Sequence, residues 1–160
     1  MYVLFFNFAS VFSPHHPCSL QDILPWAMRG CFQNSGQNCC GVERLFVYES
    51  IYDEFLEAVI PKVKALRQVF PLSTCGNSGD IDCGAMIMDG QVDIIQYLID
   101  DAVKKGATVH CGGKRNKNLC GQFYEPTVIS DVTSEMRISR EEVFGPVMCL
   151  CKVTKVCCLN

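Results

Sequence analysis

The 160-residue sequence lacks three features that would place it directly in common functional classes: a charge excess, paired metal-ligand spacings and a glycine fingerprint. Its formal net charge is −3, and Lys and Arg cluster only at 104–105 and 114–117. Because a nucleic-acid footprint needs concentrated positive charge, we predict no nucleic-acid partner. No G-x-G-x-x-G segment occurs, which excludes the usual phosphate-binding turn of a dinucleotide fold from these residues.

The amino-terminal segment has almost no charge. Residues 1–21 contain no Asp or Glu, and the opening "MYVLFFNFASVFS" contains no Lys or Arg. This apolar run is too short to span a bilayer, and it lacks the basic start of a signal peptide. We predict a buried strand or an artefactual start there, no membrane contact and a cytoplasmic protein. A cleaved or anchoring leader is the alternative.

Cysteine is abundant, with twelve residues, but no two of them have the C-x2-C spacing from which zinc sites are usually built. The close pairs are Cys39–Cys40, Cys149-x-Cys151 and Cys157–Cys158. Disulfide scaffolds are short and poor in core residues, whereas 49% of this chain is hydrophobic. We therefore predict free, mostly buried thiols in a reducing compartment and no metal site, with a metal or disulfide protein as the alternative.

Hydrophobic periodicity alternates between helix and strand along the chain. The spacing predicts helices over 20–35, ended by Ser35-Gly36, over 50–68 and over 91–106, with Asp22 to Pro25 as a first turn and Ser50 as an N-cap. We expect Pro61 to kink or shorten the second helix. The inward positions predicted for the third helix are 92, 95, 98, 99, 102 and 103.

Strands are predicted between and after these helices, at "RLFVYES", "TVHCGG", "FYEPTVISDV" and "PVMCLCKV". A loop is predicted over 71–90. Alternating strands and helices are typical of an α/β protein, so we predict a three-layer fold with a largely parallel sheet and flanking helices.

The stretch "FQNSGQNCCGVER" places Cys39 and Cys40 after a small polar run. A thiol becomes nucleophilic where its thiolate is favoured, and backbone N–H groups in a turn can stabilise an oxyanion on an attacked carbonyl. A glycine nearby would allow the backbone to approach a substrate. By spacing alone, a lone cysteine in a turn is more often structural than nucleophilic.

The same stretch resembles the cysteine motif of the NAD(P)-dependent aldehyde dehydrogenase superfamily, in which Gly-Gln-x-Cys carries the nucleophile. Later motifs of that superfamily follow in order as "GATVHCGGK" and "FYEPTVISDVTSEMRISREEVFGPV". The resemblance covers residues 20–153 and looks closest to members with "SGQNC-x-G-x-ER". It implies an incomplete catalytic domain at 19–153, an unmatched segment at 1–18 and an unmatched tail at 154–160.

The resemblance implies roles for individual residues. Cys39 aligns with the nucleophile, Glu142 with the contact to the nicotinamide ribose hydroxyls, and Phe144 with a residue that packs near the nicotinamide. Cys40 is expected to be a packing neighbour. Without the resemblance, Glu142 would be interpreted as half of a solvated acidic pair and Phe144 as core.

The implied function is oxidation of an aldehyde to a carboxylic acid with NAD or NADP, through a thiohemiacetal and a thioester on the cysteine. A small aldehyde is the expected substrate, and full-length members of the family form homo-oligomers. The family's general-base glutamate lies in an "ELGG" motif that this sequence does not contain. The alternative is therefore a truncated, inactive fragment without a base or a cofactor domain.

Overall fold

The computed structural model describes residues 9–12, 19–68 and 81–154. The predictions for the opening run before residue 9, for the first half of the loop at 71–90 and for the tail after residue 154 lie outside the described residues. Within these ranges the chain forms five strands and three α-helices. They are β1 (Ala9–Phe12), α1 (Leu20–Phe32), β2 (Arg44–Tyr48), α2 (Glu49–Lys64), α3 (Asp89–Lys104), β3 (Thr108–Cys111), β4 (Thr127–Ser130) and β5 (Val147–Val153).

The strands form one mixed sheet in the order β1-β2-β5-β4-β3. Four of the described strands are parallel, and β3 pairs antiparallel with β4 at one edge. β5 is the centre of the sheet, and all but one of its residues are buried, as expected for a parallel strand covered on both faces. The prediction of a largely parallel α/β sheet is confirmed.

Helices cover both faces of this sheet, which gives the three layers that were predicted. Because side chains alternate along a strand, β5 sends Met148 and Leu150 to one face and Cys149 and Cys151 to the other. The first face packs against α1 and α2, and the second packs against α3. The Cys149-x-Cys151 pair is therefore part of the hydrophobic core.

The helix ends differ in detail from the predictions. Ser19 caps α1 by a capping box with Asp22, so Pro25 lies inside the helix rather than at its start. The predicted cap at Ser50 is wrong because β2 runs directly into α2 and Tyr48 is the capping residue. Helix α2 ends at Lys64, sooner than predicted, with Pro61 in its last turn.

Helix α3 begins at Asp89, slightly earlier than predicted, and packs through one stripe of apolar residues. The prediction that Val103 points inward is wrong, because this side chain is 48% exposed. Val103 lies next to the stripe, whose last member is Ala102. The buried residues of α3 are Val92, Ile95, Leu98, Ile99 and Ala102.

Candidate active site

Two segments that lead into the neighbouring parallel strands β2 and β5 meet where these strands begin. The cysteine segment, residues 33–43, leads into β2, and the acidic segment, residues 137–146, leads into β5. β2 and β5 pair in parallel, with Arg44 opposite Cys149. Both segments therefore arrive from the same side, and the topology places the segment that carries Cys39 beside the one that carries Glu142 and Phe144.

The two segments touch through their backbones at two glycines. A Cβ at Gly36 would overlap the carbonyl group of Gly145. Gly36 also has φ 71, a conformation that favours glycine. Gly145 in turn packs so closely on Ile95 of α3 that a Cβ there would overlap the isoleucine side chain. The absence of a side chain at Gly36 thus allows the close approach of the cysteine and acidic segments, and its absence at Gly145 allows the approach of the acidic segment to α3.

A left-handed turn separates α1 from the candidate nucleophile. Asn34 and Ser35 have φ 54 and 58 before Gly36, so three consecutive residues are left-handed. Side-chain hydrogen bonds stabilise this unusual run. Asn34 Nδ2 donates to the Gln37 carbonyl oxygen at 2.8 Å, and the buried Ser35 Oγ accepts from Gly84 N at 2.8 Å.

Polar side chains then shape the loop around Cys39. The Gln37 carboxamide donates to the Ala85 carbonyl oxygen at 3.2 Å and accepts from Ile87 N at 2.8 Å. Asn38 Oδ1 accepts from Cys40 N at 3.1 Å. Gln37 therefore ties the loop to the segment before α3, and Asn38 closes the turn after the cysteine.

Cys39 and Cys40 are both exposed, and their Sγ atoms are 3.8 Å apart. The hydrogen bond with Cys39 and the charge of its thiolate raise the pKa of Cys40. The N–H groups of Cys40 and Gly41 donate to Asn38. Among the described residues the N–H group of Cys39 has no hydrogen-bond acceptor, so this amide could hold an oxyanion.

The two adjacent glutamates of the acidic segment have different surroundings. Glu141 pairs with Arg137, with Oε1 and Nε 2.5 Å apart. Glu142 is exposed, and its carboxylate has no partner among the residues that the structure describes. Its two oxygens are therefore available to accept hydrogen bonds from a vicinal diol such as the ribose of a nicotinamide cofactor. This pair of acceptor oxygens fits the cofactor that the sequence resemblance implies.

Phe144 is half-buried and has φ 48, which is rare for a bulky residue. A buried carboxylate supports this conformation. Glu43 Oε1 accepts from the amides of both Val143 and Phe144, each at 2.9 Å. Its other oxygen lies 3.0 Å from Arg44 Nη1, and the side chains of this ion pair are each only 9% exposed.

Further contacts fix the acidic segment on both sides. Arg44 donates to the Glu141 carbonyl oxygen at 3.2 Å. On the α3 side, Gln91 Nε2 donates to the Val143 carbonyl oxygen at 2.8 Å, and Arg137 N donates to Asp101 at 2.9 Å. Sequence reasoning missed the Glu43–Arg44 pair and Gln91. A charged pair directly before the apolar strand "LFVY" was the one signal available, because charges beside a buried strand need partners.

Most of the chain matches a known protein family. The family model described as "Aldehyde dehydrogenase family" matches residues 15–156. The chain belongs to the aldehyde dehydrogenase family. Its candidate nucleophile segment and acidic segment both lie inside the matched region.

Individual aldehyde dehydrogenases and a related enzyme support this assignment. The chain is 40% identical over 132 residues to the chloroplastic betaine aldehyde dehydrogenase of Beta vulgaris. This alignment covers 82% of this chain and 25% of the relative. Betaine aldehyde dehydrogenase from Staphylococcus aureus, solved with NAD+, superposes with TM-score 0.82 and 30% identity, over 93% of this chain and 29% of that one. An NADP-dependent enzyme of E. coli superposes with TM-score 0.85 and 28% identity, over 96% of this chain and 30% of that one. The chain thus spans about a quarter of the length of the curated relatives it matches.

The other described cysteines of this family member are free thiols, and four of them are buried. Burial raises the pKa of Cys83 and of Cys151 to about 12, and the pKa values of Cys31 and Cys149 are also raised by burial. No three His, Cys, Asp or Glu side chains in the described ranges lie together in a way that could hold a metal ion. No helix of 19–68 or 81–154 is both long and apolar enough to cross a membrane.

We expect iodoacetamide at pH 8 to alkylate Cys39 before any buried cysteine of the native chain. The thiolate is the reacting species, and a thiol with pKa about 12 is almost fully protonated at that pH. Raising the pH while the fold persists should increase labelling of Cys83 and Cys151 only as their pKa is approached. Peptide mass spectrometry at short times measures the order, and labelling of Cys83 as fast as Cys39 would contradict it.

Proposed function

We propose that residues 19–153 form the nucleophile-bearing part of an enzyme that oxidises an aldehyde to a carboxylic acid with NAD or NADP. Residues 1–18 and 154–160 lie outside this proposed unit. The observation that carries the proposal is the contact, where β2 and β5 begin, between the segment with exposed Cys39 and the segment with Glu142, whose carboxylate has no partner among the residues that the structure describes. The NAD+ complex of one structural relative and the NADP dependence of another support the cofactor class.

Cys39 is the proposed nucleophile. Its thiolate adds to the aldehyde carbonyl carbon, and the oxyanion of the resulting thiohemiacetal accepts a hydrogen bond from the Cys39 N–H. When bound, NAD or NADP would accept the hydride and so convert this adduct into an acyl thioester; Glu142 would hold its ribose hydroxyls and Phe144 would pack near the nicotinamide. Water then hydrolyses the thioester on Cys39 to the acid and the free thiol. This last step needs a general base.

The proposed partners follow from this chemistry. The substrate is a small aldehyde that reaches Cys39 from solvent, and neither a nucleic acid nor a membrane takes part. By analogy with the family, we propose that the complete enzyme is a homo-oligomer. A cytoplasmic location is proposed from the number of free thiols, because these persist in a reducing compartment.

An activated ester tests the nucleophile without any cofactor. We expect 4-nitrophenyl acetate to transfer one acetyl group per chain, with a burst of about one 4-nitrophenol followed by slow turnover, because the thioester forms faster than water removes it. Peptide mass spectrometry should place the acetyl group on Cys39. Cys39→Ala should reduce the burst at least about tenfold, since it removes the attacking atom.

Two matched variants complete this experiment. Cys40→Ala removes the adjacent thiol, and Cys120→Ala removes an exposed cysteine outside the proposed site. Both should keep the burst within about twofold of the unmodified chain, because neither carries the nucleophile. Equal acetylation of Cys120 and Cys39, or an unchanged burst in Cys39→Ala, would remove the basis of the proposed function.

A further inference from the structure

We propose that Glu43 is a positioning residue that orients Glu142 and Phe144 toward the nicotinamide ribose. This inference rests on the proposed function of Glu142. Glu43 lies at the end of the cysteine segment, yet its carboxylate binds the acidic segment, where Oε1 accepts from Val143 N and Phe144 N at 2.9 Å each. It thereby holds the two peptide groups that directly follow Glu142.

The N–H groups of Val143 and Phe144 form an anion-binding nest, and the anion in it is the Glu43 carboxylate of the same chain. Successive backbone N–H groups converge on one point when a left-handed residue takes part in the turn. Phe144 is that residue, with φ 48, and Glu43 Oε1 occupies the point of convergence. A bulky residue keeps such a conformation only where its surroundings demand it. The buried carboxylate therefore selects the turn that places Glu142 at the surface.

Gln91 and Glu43 hold the turn at Val143 and Phe144 from opposite sides. Gln91 of α3 donates to the carbonyl oxygens of Val143 and Phe144, at 2.8 and 3.4 Å, while Glu43 holds their N–H groups from the β2 side. The Glu43 carbonyl oxygen also accepts from Cys149 N at 3.1 Å, which joins β2 to β5. Glu43 therefore connects the strand that follows Cys39 with the turn that presents Glu142, and it fixes the distance between nucleophile and ribose contact.

Binding of nicotinamide mononucleotide to the 160-residue chain, followed by NMR titration, tests the inference. We expect Glu142→Gln and Glu43→Ala each to weaken binding about tenfold, and the double variant to bind no more weakly than Glu142→Gln, because the two residues act as one unit. Glu43→Gln should recover most of the loss, since its amide oxygen still accepts both N–H groups. Glu57→Gln is the control, because it neutralises an exposed carboxylate on α2, which covers the face of the sheet opposite α3.

A second readout does not depend on ligand binding. In Glu43→Ala the backbone chemical shifts of Phe144 should leave the left-handed range, and the amides of Val143 and Phe144 should exchange faster. If Glu43→Ala does not fold, both the binding and the NMR measurements are made on Glu43→Gln. We expect this variant to bind nicotinamide mononucleotide about threefold more weakly than the unmodified chain.

The outcomes separate the inference from the proposed function. If wild type shows no binding, or Glu142→Gln binds like wild type, the ribose role of Glu142 is wrong. The Phe144 readout then still decides whether Glu43 sets the turn. If Glu142→Gln is weakened while both Glu43 variants bind like wild type, or if Phe144 stays left-handed in Glu43→Ala, the positioning role of Glu43 is overturned.

Discussion

Gly36→Ala should destabilise the chain by about 3 kcal/mol or more, through two independent costs. The residue has φ 71, which costs a non-glycine residue about 1 kcal/mol. The added Cβ would also overlap the Gly145 carbonyl group and lie 3.1 Å from the Cys31 carbonyl oxygen. Both neighbours are backbone atoms, so no side-chain rotation can relieve the overlap. The cysteine and acidic segments would have to separate.

Urea unfolding followed by circular dichroism measures this effect, with Gly90→Ala as the matched control. Gly90 lies in the first turn of α3, and a Cβ there would have no neighbour within 4 Å. The control should be neutral or stabilising by up to about 1 kcal/mol, because alanine favours a helix over glycine. Equal midpoints for Gly36→Ala and the unmodified chain would show that the two segments do not meet at Gly36.

The layer architecture is the part of the fold that local patterns predict well. Helical spacing identified α1, α2 and α3, and the apolar runs at β2 and β5 indicated strands, because burial on a sheet or helix face imposes a period on the sequence. Helix ends were less accurate. The capping role of Tyr48 could not be foreseen, since it follows from a strand that continues into a helix without a loop.

Some residues of the candidate site were predicted from the sequence and others were missed. The roles of Cys39, Glu142 and Phe144 were predicted from the resemblance to the aldehyde dehydrogenase superfamily, since local pattern alone indicates a solvated carboxylate at 142 and a core residue at 144. Glu43 was missed, since its role depends on a turn that lies a hundred residues away along the chain. The contact of Gly36 with Gly145 was missed for a related reason. A glycine in a loop signals conformational freedom, but its neighbour across space is decided only when β2 and β5 pair.

Arg44→Met should lower the free energy of unfolding by about 3 kcal/mol at neutral pH, because it leaves the nearly buried Glu43 carboxylate without its cation. The loss has a second component. Arg44 Nη1 also donates to the carbonyl oxygen of Glu141, which would lose that hydrogen bond. Methionine retains much of the apolar stem, so lost packing contributes little to the expected effect.

A double variant and a surface control separate the charge from the fold. Glu43→Gln combined with Arg44→Met removes both charges, so it should be less destabilised than Arg44→Met alone, as buried ion pairs generally show. Arg67→Met breaks an ion pair whose side chains are 50% and 33% exposed. That loss should stay within about 1 kcal/mol, because solvent screens the pair. If Arg44→Met costs no more than Arg67→Met in urea unfolding, the buried pair does not hold the acidic segment, and the turn before β5 must be fixed from the α3 side through Gln91.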